Sequence, residues 1–381
     1  MGNSLSNERS GRLCDERKSA EKRKKIAVLF GGRSTEHAVS CVSALNIINN
    51  IDRTKYEPVL IGITYSGDWL PYSGPKELIP GDGWVEKAYE ENSLAPEEGI
   101  RYLDKALAVL QSCDCIFPVL HGLNGEDGTV QGLFELLGKP YVGCGVYASA
   151  CGMDKTFSKV QFEKAGIPQA RYIIAYEDIA RSDMNGYVNA VEKSFGFPCF
   201  VKPASCGSSV GVAPVKNAAE LPEKLSRALK FDRKALIEEY VECREIECGV
   251  LGNSDPVTLT PGEVRSTEKD FYDYDSKYVD GESICLIPAP VGDEKIEEIK
   301  ALAIRAFKAV EGSGLARVDF FLKKDGTVLL NEINTMPGFT ECSMYPKLAL
   351  NEGMSYSGLI DRLIVLAFEK HDSDKRCYDE R

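Results

Sequence analysis

Residues 315–340, LARVDFFLKKDGTVLLNEINTMPGFT, place carboxylates where like charges should meet. With Asp325-Gly326 as a two-residue turn, Asp319 lies opposite Glu332 and Arg317 opposite Asn334. Successive side chains of a strand point to opposite faces, so Val318, Phe320, Leu329 and Ile333 share an apolar face and the four polar residues share the other. Opposed like charges destabilise a sheet, and a polyvalent cation between them reverses the sign. Three hard oxygen donors, from Asp319, Glu332 and Asn334, suit Mg²⁺, which takes one or two carboxylates and fills its octahedron with water and substrate phosphates. For this hairpin alone a solvated charged face is the alternative. A three-residue loop with a bulge would also shift the pairing by one.

Other segments carry phosphate chemistry. The run 201-VKPASCGSSVGV-212 is a strand entering a loop of small residues whose backbone N–H groups can approach a polyphosphate. It lacks the Gly-Lys-Ser/Thr ending of a Walker A loop, but Lys202 sits where the strand ends. Lys155 follows Asp154, which is placed to cap a helix through Phe157 and Val160. Two lysines from separate segments could neutralise a triphosphate, whereas either alone reads as a solvated surface charge. Glu36, just after Gly31-Gly32, reads as a helix-terminal carboxylate or as an anchor for a ligand ammonium group. His121 ends a strand before Gly122. The loop 270-DFYDYDSKYVDG-281, with Lys277 and Tyr278, is long and aromatic enough to be a lid, with a packed aromatic patch as the other reading.

The elements that must position these residues are α/β in kind. Lys25 to Phe30 is a β-branched strand running into a glycine turn and a helix with Ala38, Val42, Leu45 and Ile48 on one side. Strands at 59–64, 115–120 and 141–142, with helices at 103–111 and 130–137, complete a parallel, doubly wound domain, whose ligands lie beyond the carboxyl ends of its strands. From about residue 148 the pattern becomes α+β: a helix after Asp154, strands at 199–202 and 235–241, a helix at 295–310, the hairpin, and a closing helix at 357–369.

The 381 residues carry a formal net charge of −12, which argues against nucleic acid as the main partner. Thirteen cysteines are scattered without a C-x-x-C, and only three histidines are present, so neither a disulfide framework nor a zinc-binding pattern is expected. Free thiols point to a cytoplasmic protein. No stretch approaches a transmembrane helix in apolar length.

Taken together, 30-FGGRSTEHAVS-40, 120-LHGLNGEDGTVQG-132, 143-GCGVYASACGMDK-155, 201-VKPASCGSSVGV-212, 271-FYDYDSKY-278, 316-ARVDFFL-322 and 331-NEINTMPGFT-340 resemble, in order, the D-alanine:D-alanine ligase family of the ATP-grasp superfamily. The resemblance implies a parallel doubly wound N-terminal domain followed by a two-lobed α+β ATP-grasp unit. The expected division is a disordered polar tail at 1–25, a substrate-binding α/β domain at 26–147, a central lobe at 148–241, a C-terminal lobe with the metal site at 242–370, and a polar tail at 371–381. It implies an ATP-dependent carboxylate–amine ligase that makes D-alanyl-D-alanine for peptidoglycan through a D-alanyl phosphate, using two Mg²⁺ (or Mn²⁺), as a homodimer.

By the same resemblance Glu36 holds the first ammonium group, with Ser208 and Tyr278 linked to it by hydrogen bonds. His121 sits near the first substrate carboxylate. Lys155, Lys202 and Lys277 bind phosphates, Glu238 and Val241 the adenine, and Glu245 the ribose. Asp319, Glu332 and Asn334 hold the metal ions, while Arg317 and the backbone N–H of Gly338 stabilise the charge that develops on the acyl phosphate and tetrahedral intermediate. Ser343 and Met344 wall the second-substrate pocket, where an apolar side chain fits a methyl group better than a hydroxymethyl group. Such a pocket rejects an added hydroxyl only modestly, so a D-alanine:D-serine ligase, and less readily a D-lactate one, is the alternative. A nucleotide sensor without turnover and a calcium-binding module are the rivals from other classes.

Overall fold

The structure, a computed structural model, describes residues 22–96, 102–208, 210–266 and 283–375. The expected lid at 270–281, with Lys277 and Tyr278, lies outside these residues.

The N-terminal part comprises β1 (Lys24–Gly31), α1 (His37–Asn50), β2 (Tyr56–Ile63), β3 (Trp69–Tyr72), α2 (Trp84–Asn92), α3 (Leu103–Ser112), β4 (Cys115–Pro118) and α4 (Thr129–Leu136). Its sheet runs β3-β2-β1-β4. β1 is parallel to both neighbours, as the strand–glycine–helix pattern predicts, and the short β3, which the sequence reading passes over, adds antiparallel at the edge. β1 is fully buried from Ile26 to Phe30. The inward face of α1 differs from the expected one: Val42 is exposed, whereas Ser40, Cys41, Ser43, Ala44 and Ile47 are buried. Small residues allow the helix to approach β1, and Ser40 Oγ accepts from Gly31 N–H at 2.8 Å.

The central part holds α5 (Val146–Met153), α6 (Lys155–Lys164), β5 (Tyr172–Tyr176), α7 (Glu177–Ser182), α8 (Met184–Ser194), β6 (Cys199–Pro203), β7 (Ala213–Val215), α9 (Leu221–Ala228) and β8 (Lys234–Glu239). The antiparallel sheet β5-β8-β6-β7 encloses its own apolar core, with Val191, Val201, Leu225 and Ile237 inside. Asp154 caps α6 as expected, accepting from Thr156 and Phe157 N–H.

The remainder is β9 (Cys243–Gly252), β10 (Val257–Thr258), β11 (Gly262–Ser266), β12 (Ser283–Leu286), α10 (Asp293–Ala309), β13 (Gly314–Lys323), β14 (Val328–Asn334), α11 (Met344–Asn351) and α12 (Tyr356–Ser373). The sheet order is β12-β11-β9-β13-β14, with β10 on β9. α12 extends into the expected tail at 371 and packs against the N-terminal sheet. Leu363 and Ile364 share a core with Val28, Phe30 and Phe117, and Tyr56 donates to Asp361 at 2.7 Å. The first and last parts are thus joined by a common core, while the central sheet has a core to itself.

The hairpin follows the expected register only at its functional end. Lys323 N–H donates to Thr327 O and Gly326 N–H to Lys323 O, both at 3.0 Å, closing a three-residue loop with Gly326 at φ +85. Phe320 therefore pairs with Leu330 and Phe321 with Leu329. A bulge at Asn331 restores the register, so Asp319 opposes Glu332 and Arg317 opposes Asn334. At the bulge, Leu330 N–H is given to Pro168 O at 2.8 Å. As a result Leu330, fully buried, takes the place expected for Leu329 on the apolar face.

Candidate active site

A cleft of about 840 Å³ runs between the three parts and brings together the described candidate residues except Asp319, which does not line it but bonds to Arg317 and Asn334, which do. Glu36 sits at the N-terminus of α1 but caps nothing with its side chain. The carboxylate instead reaches across the cleft, where Ser208 Oγ donates to Oε1 at 2.5 Å. It lies between two glycines: a Cβ on Gly122 or on Gly207 would come within 2.5 Å of Glu36 Oε2. These two positions have to be side-chain-free for the N-terminal domain and the Gly/Ser loop to close on one carboxylate.

His121 is buried at the wall of the same site. Its Nδ1 is 3.0 Å from Met336 O and must donate, which leaves Nε2, 3.2 Å from Ser43 Oγ, to accept. Ser43 Oγ in turn accepts from Phe339 N–H at 3.1 Å. Burial holds the imidazole pKa below its ordinary value, with nearby Glu36 opposing, so a neutral ring is consistent with both contacts. Sequence reasoning missed Glu126, which accepts from Gly122 N–H (2.9 Å) and Met336 N–H (3.0 Å) and so fastens the His121 loop to the loop after β14. Burial, then repulsion from Glu36, raises its pKa to about 8. Its only sequence signal was a place in the GLNGEDG loop.

On the opposite wall Lys202 Nζ lies 2.6 Å from Glu238 Oε2 and 3.4 Å from Oδ1 of the bulged Asn331. Glu238 Oε1 is 2.6 Å from Lys159 Nζ in a buried ion pair. Lys159 was also missed, although it stands four residues after Lys155 and so shares its helix face. Burial alone would push the Glu238 carboxyl up, yet the two lysines hold it down to about 2. Lys155 donates to Cys206 O at 2.9 Å, bracing the Gly/Ser loop, and lies 3.6 Å from Glu332. β8 ends at Glu239, two residues earlier than expected, so Val241 lies in the connector to β9 and lines the cleft with Glu245.

The hairpin supplies the floor. Arg317 makes a two-pronged contact with Asp319, both bonds 2.8 Å, and reaches Glu247 at 2.9 Å. Asn334 Nδ2 donates to Asp319 at 2.9 Å. Glu247 faces Asp319 across β9 and β13 and was legible only once that pairing was known. Oxygen donors on two rigid strands, with carboxylates in excess of the one arginine, fit a hard divalent cation. Ser343 Oγ accepts from Thr340 N–H at 3.0 Å and stands 2.7 Å from where a Cβ on Gly338 would be. Met344 lines the cleft but is largely buried, its Sδ against Gly262, so it backs the pocket wall without projecting from it.

Family models describing the D-ala D-ala ligase N-terminus and C-terminus match residues 25–144 and 161–365. The D-alanine--D-alanine ligase of Acetivibrio thermocellus is 47% identical over 374 residues, covering 94% of this chain and 99% of that protein. That of Ruminiclostridium cellulolyticum is 48% identical over 370 residues, covering 93% and 98%. Among solved structures, the VanG D-Ala:D-Ser ligase from Enterococcus faecalis superposes with a TM-score of 0.77 at 33% identity, covering 91% of this chain and 100% of that one. The D-alanine-D-alanine ligase from Coxiella burnetii gives 0.76 at 35% identity, covering 92% and 97%. Both halves are matched in order, and close to half of the residues are identical along nearly the whole length: this chain belongs to the D-alanine:D-alanine ligase family.

Proposed function

We propose that the chain joins two D-alanine molecules at the expense of ATP, giving D-alanyl-D-alanine for peptidoglycan precursors. The observation that carries this reading is that one cleft holds Glu36, tied to Ser208 of the Gly/Ser loop, together with Lys155, Lys202 and the acidic hairpin. Glu36 anchors the first ammonium group, and His121, whose neutral form burial favours, lies beside the carboxylate. That carboxylate attacks the γ-phosphate, and the amine of the second D-alanine displaces phosphate from the acyl phosphate. Lys155, Lys202 and Lys277 neutralise the phosphates, and Glu238, Val241 and Glu245 receive the nucleoside. Arg317, aimed by Asp319 and Glu247, stabilises the charge on the transferring group and tetrahedral carbon, and the Gly338 N–H shares that oxyanion. Asp319, Glu332 and Asn334 would hold two Mg²⁺, which when bound offset charge on the phosphates. Tyr278 and the 270–281 lid exclude water.

The protein acts in the cytoplasm, a reading supported by the free thiols among the described cysteines and by the absence of any membrane-spanning helix among the described residues. It acts as a homodimer; exposed Leu136, Val146 and Tyr147 on neighbouring helices support this, and sedimentation equilibrium checks it. Phosphate release from ATP with D-alanine alone, with D-alanyl-D-alanine as product, is the expected result. ATP binding without release would overturn it. D-Serine as second substrate is the alternative that the likeness to a D-Ala:D-Ser ligase raises, and a mixed dipeptide from equimolar D-alanine and D-serine would favour it.

A further inference from the structure

One cluster of metal-ligating groups stands apart from the cleft. A His37 ring nitrogen, Cys41 Sγ and an Asp82 carboxylate oxygen all lie within 4.8 Å of one another. His37 and Cys41 are four residues apart on one face of α1, and Asp82 approaches from the loop before α2 with φ +61. His37 Nδ1 is 2.8 Å from Gly32 O, a contact it can make only as donor. In the neutral ring this leaves the Nε2 lone pair facing Asp82 Oδ1 at 3.0 Å. Two acceptors at that distance need a cation between them, either a second proton or a metal. A separate observation favours the metal. The indole Nε1–H of Trp84, in a fully buried side chain, makes no hydrogen bond among the described residues, and it acts on the Cys41 thiol as a donor that favours the thiolate. That is a donor placed for a thiolate. Without a cation, burial and then Asp82 push the Cys41 thiol up to about 12. Tyr65, stacked on the His37 ring at 3.8 Å between centroids, covers the outer side.

We propose that His37 Nε2, Cys41 Sγ and Asp82 form a zinc site on α1, distinct from the hard-oxygen site of the hairpin. Imidazole, thiolate and carboxylate are the donors Zn²⁺ prefers, and three protein ligands leave a fourth position for water. Bonds of about 2.0–2.3 Å in a tetrahedron set ligand atoms roughly 3.4–3.7 Å apart, so the His37–Asp82 pair opens slightly and Sγ closes in. On binding, the Cys41 S–H proton leaves to solvent and the S–Zn bond forms, with no change of oxidation state. The ion ties the Asp82 loop to the first turn of α1, one residue from Glu36.

The test uses the full-length protein with MgATP in excess to fill the hairpin, and Co²⁺ as a spectroscopic substitute for Zn²⁺. Expected are one Co²⁺ per chain, a thiolate-to-cobalt charge-transfer band, displacement by Zn²⁺, and a raised melting temperature. Cys41→Ala should abolish the band. Because a buried change can disturb folding, the partly exposed Asp82 provides the second variant: Asp82→Asn should lower Co²⁺ affinity at least about tenfold, since even outer-shell partners of a metal matter that much, with circular dichroism unchanged. No band in the parent protein, a band that survives Cys41→Ala, or unaltered affinity in Asp82→Asn would each overturn the proposal.

Discussion

Two ionic clusters share the cleft, and they are built differently. Around Glu238, two lysines surround one carboxylate, with Lys159 and Glu238 each only 2% exposed. Around Asp319, one arginine serves Asp319 and Glu247, while Glu332, with its side chain 26% exposed, lies 3.6 Å from Lys155. The first cluster is dry and satisfied by protein groups, whereas the second is acidic, more open and suited to cations from outside. Buried pairs are costly to break, and an open acidic cluster is more useful to a ligand than to the fold. The contrast predicts that charge-removing substitutions divide between stability and catalysis according to the cluster they touch.

The largest effect is expected at the acidic cluster. Glu332→Gln should lower kcat on the order of 10³-fold, equivalent to about 4 kcal/mol of lost stabilisation of the transferring group, and leave urea-induced unfolding within about 0.5 kcal/mol of the parent. Steady-state phosphate release and equilibrium unfolding on the same preparation check this. A matching loss of stability would mean that Glu332 belongs to the structural kind after all. Glu238→Gln reverses the order: it strands Lys159 in a buried site and should cost about 3–5 kcal/mol of stability, measured by the midpoint of unfolding. If Glu238→Gln folds as well as the parent and only loses ATP affinity, the distinction between the clusters fails.

Ser208 offers an intermediate case because its hydroxyl and its backbone pull apart. It holds Glu36 from a left-handed φ of +48, a conformation that costs a side-chain-bearing residue about 1 kcal/mol. Ser208→Gly should therefore leave stability unchanged or slightly raised. Loss of a hydrogen bond to a charged group, about 1.5–3 kcal/mol, should raise KM for the first D-alanine about 10–100-fold. A KM unmoved in Ser208→Gly would show that the Glu36 anchor does not depend on the Gly/Ser loop.

The acidic cluster was legible in the sequence because alternation in a hairpin is local. Even there the turn had three residues rather than two, and the bulge at Asn331 cancelled the error at Asp319 and Glu332 while moving Leu330 to the apolar face. The cause, Leu330 N–H donating to Pro168 O, is a contact between distant segments that no local pattern records. The dry cluster was half legible. Lys202 and Glu238 were each found, but their pairing and the arrival of Lys159 depend on how α6 packs beside β8. Glu126 and Glu247 escaped for the same reason, since each acts on a residue far away in the chain. The α1 face was misread because small polar residues, Ser40 and Ser43, face inward to meet backbone groups and His121, whereas Val42 faces out.

The smallest effect separates the two kinds of carboxylate by the sign of their pH dependence. Glu238 is held down to about 2 from an ordinary 4.5, so its stabilisation is present above the ordinary value and is lost as pH falls toward about 2. Glu126, raised to about 8 by burial and by Glu36, keeps a proton in the folded state that the unfolded chain releases, so its contribution declines as pH rises from about 4.5 through about 8. Each slope is at most about 1.4 kcal/mol per pH unit, the value for one proton. Urea unfolding of the ligand-free protein across pH, with Glu126→Gln and Glu238→Gln beside the parent, isolates the two terms. Glu126→Gln should flatten the fall in stability on the neutral side, and Glu238→Gln should flatten the fall on the acid side. Slopes of the same sign would place both carboxylates in one electrostatic class, and the division of the cleft into a satisfied wall and a ligand-seeking floor would have to be redrawn around Glu36.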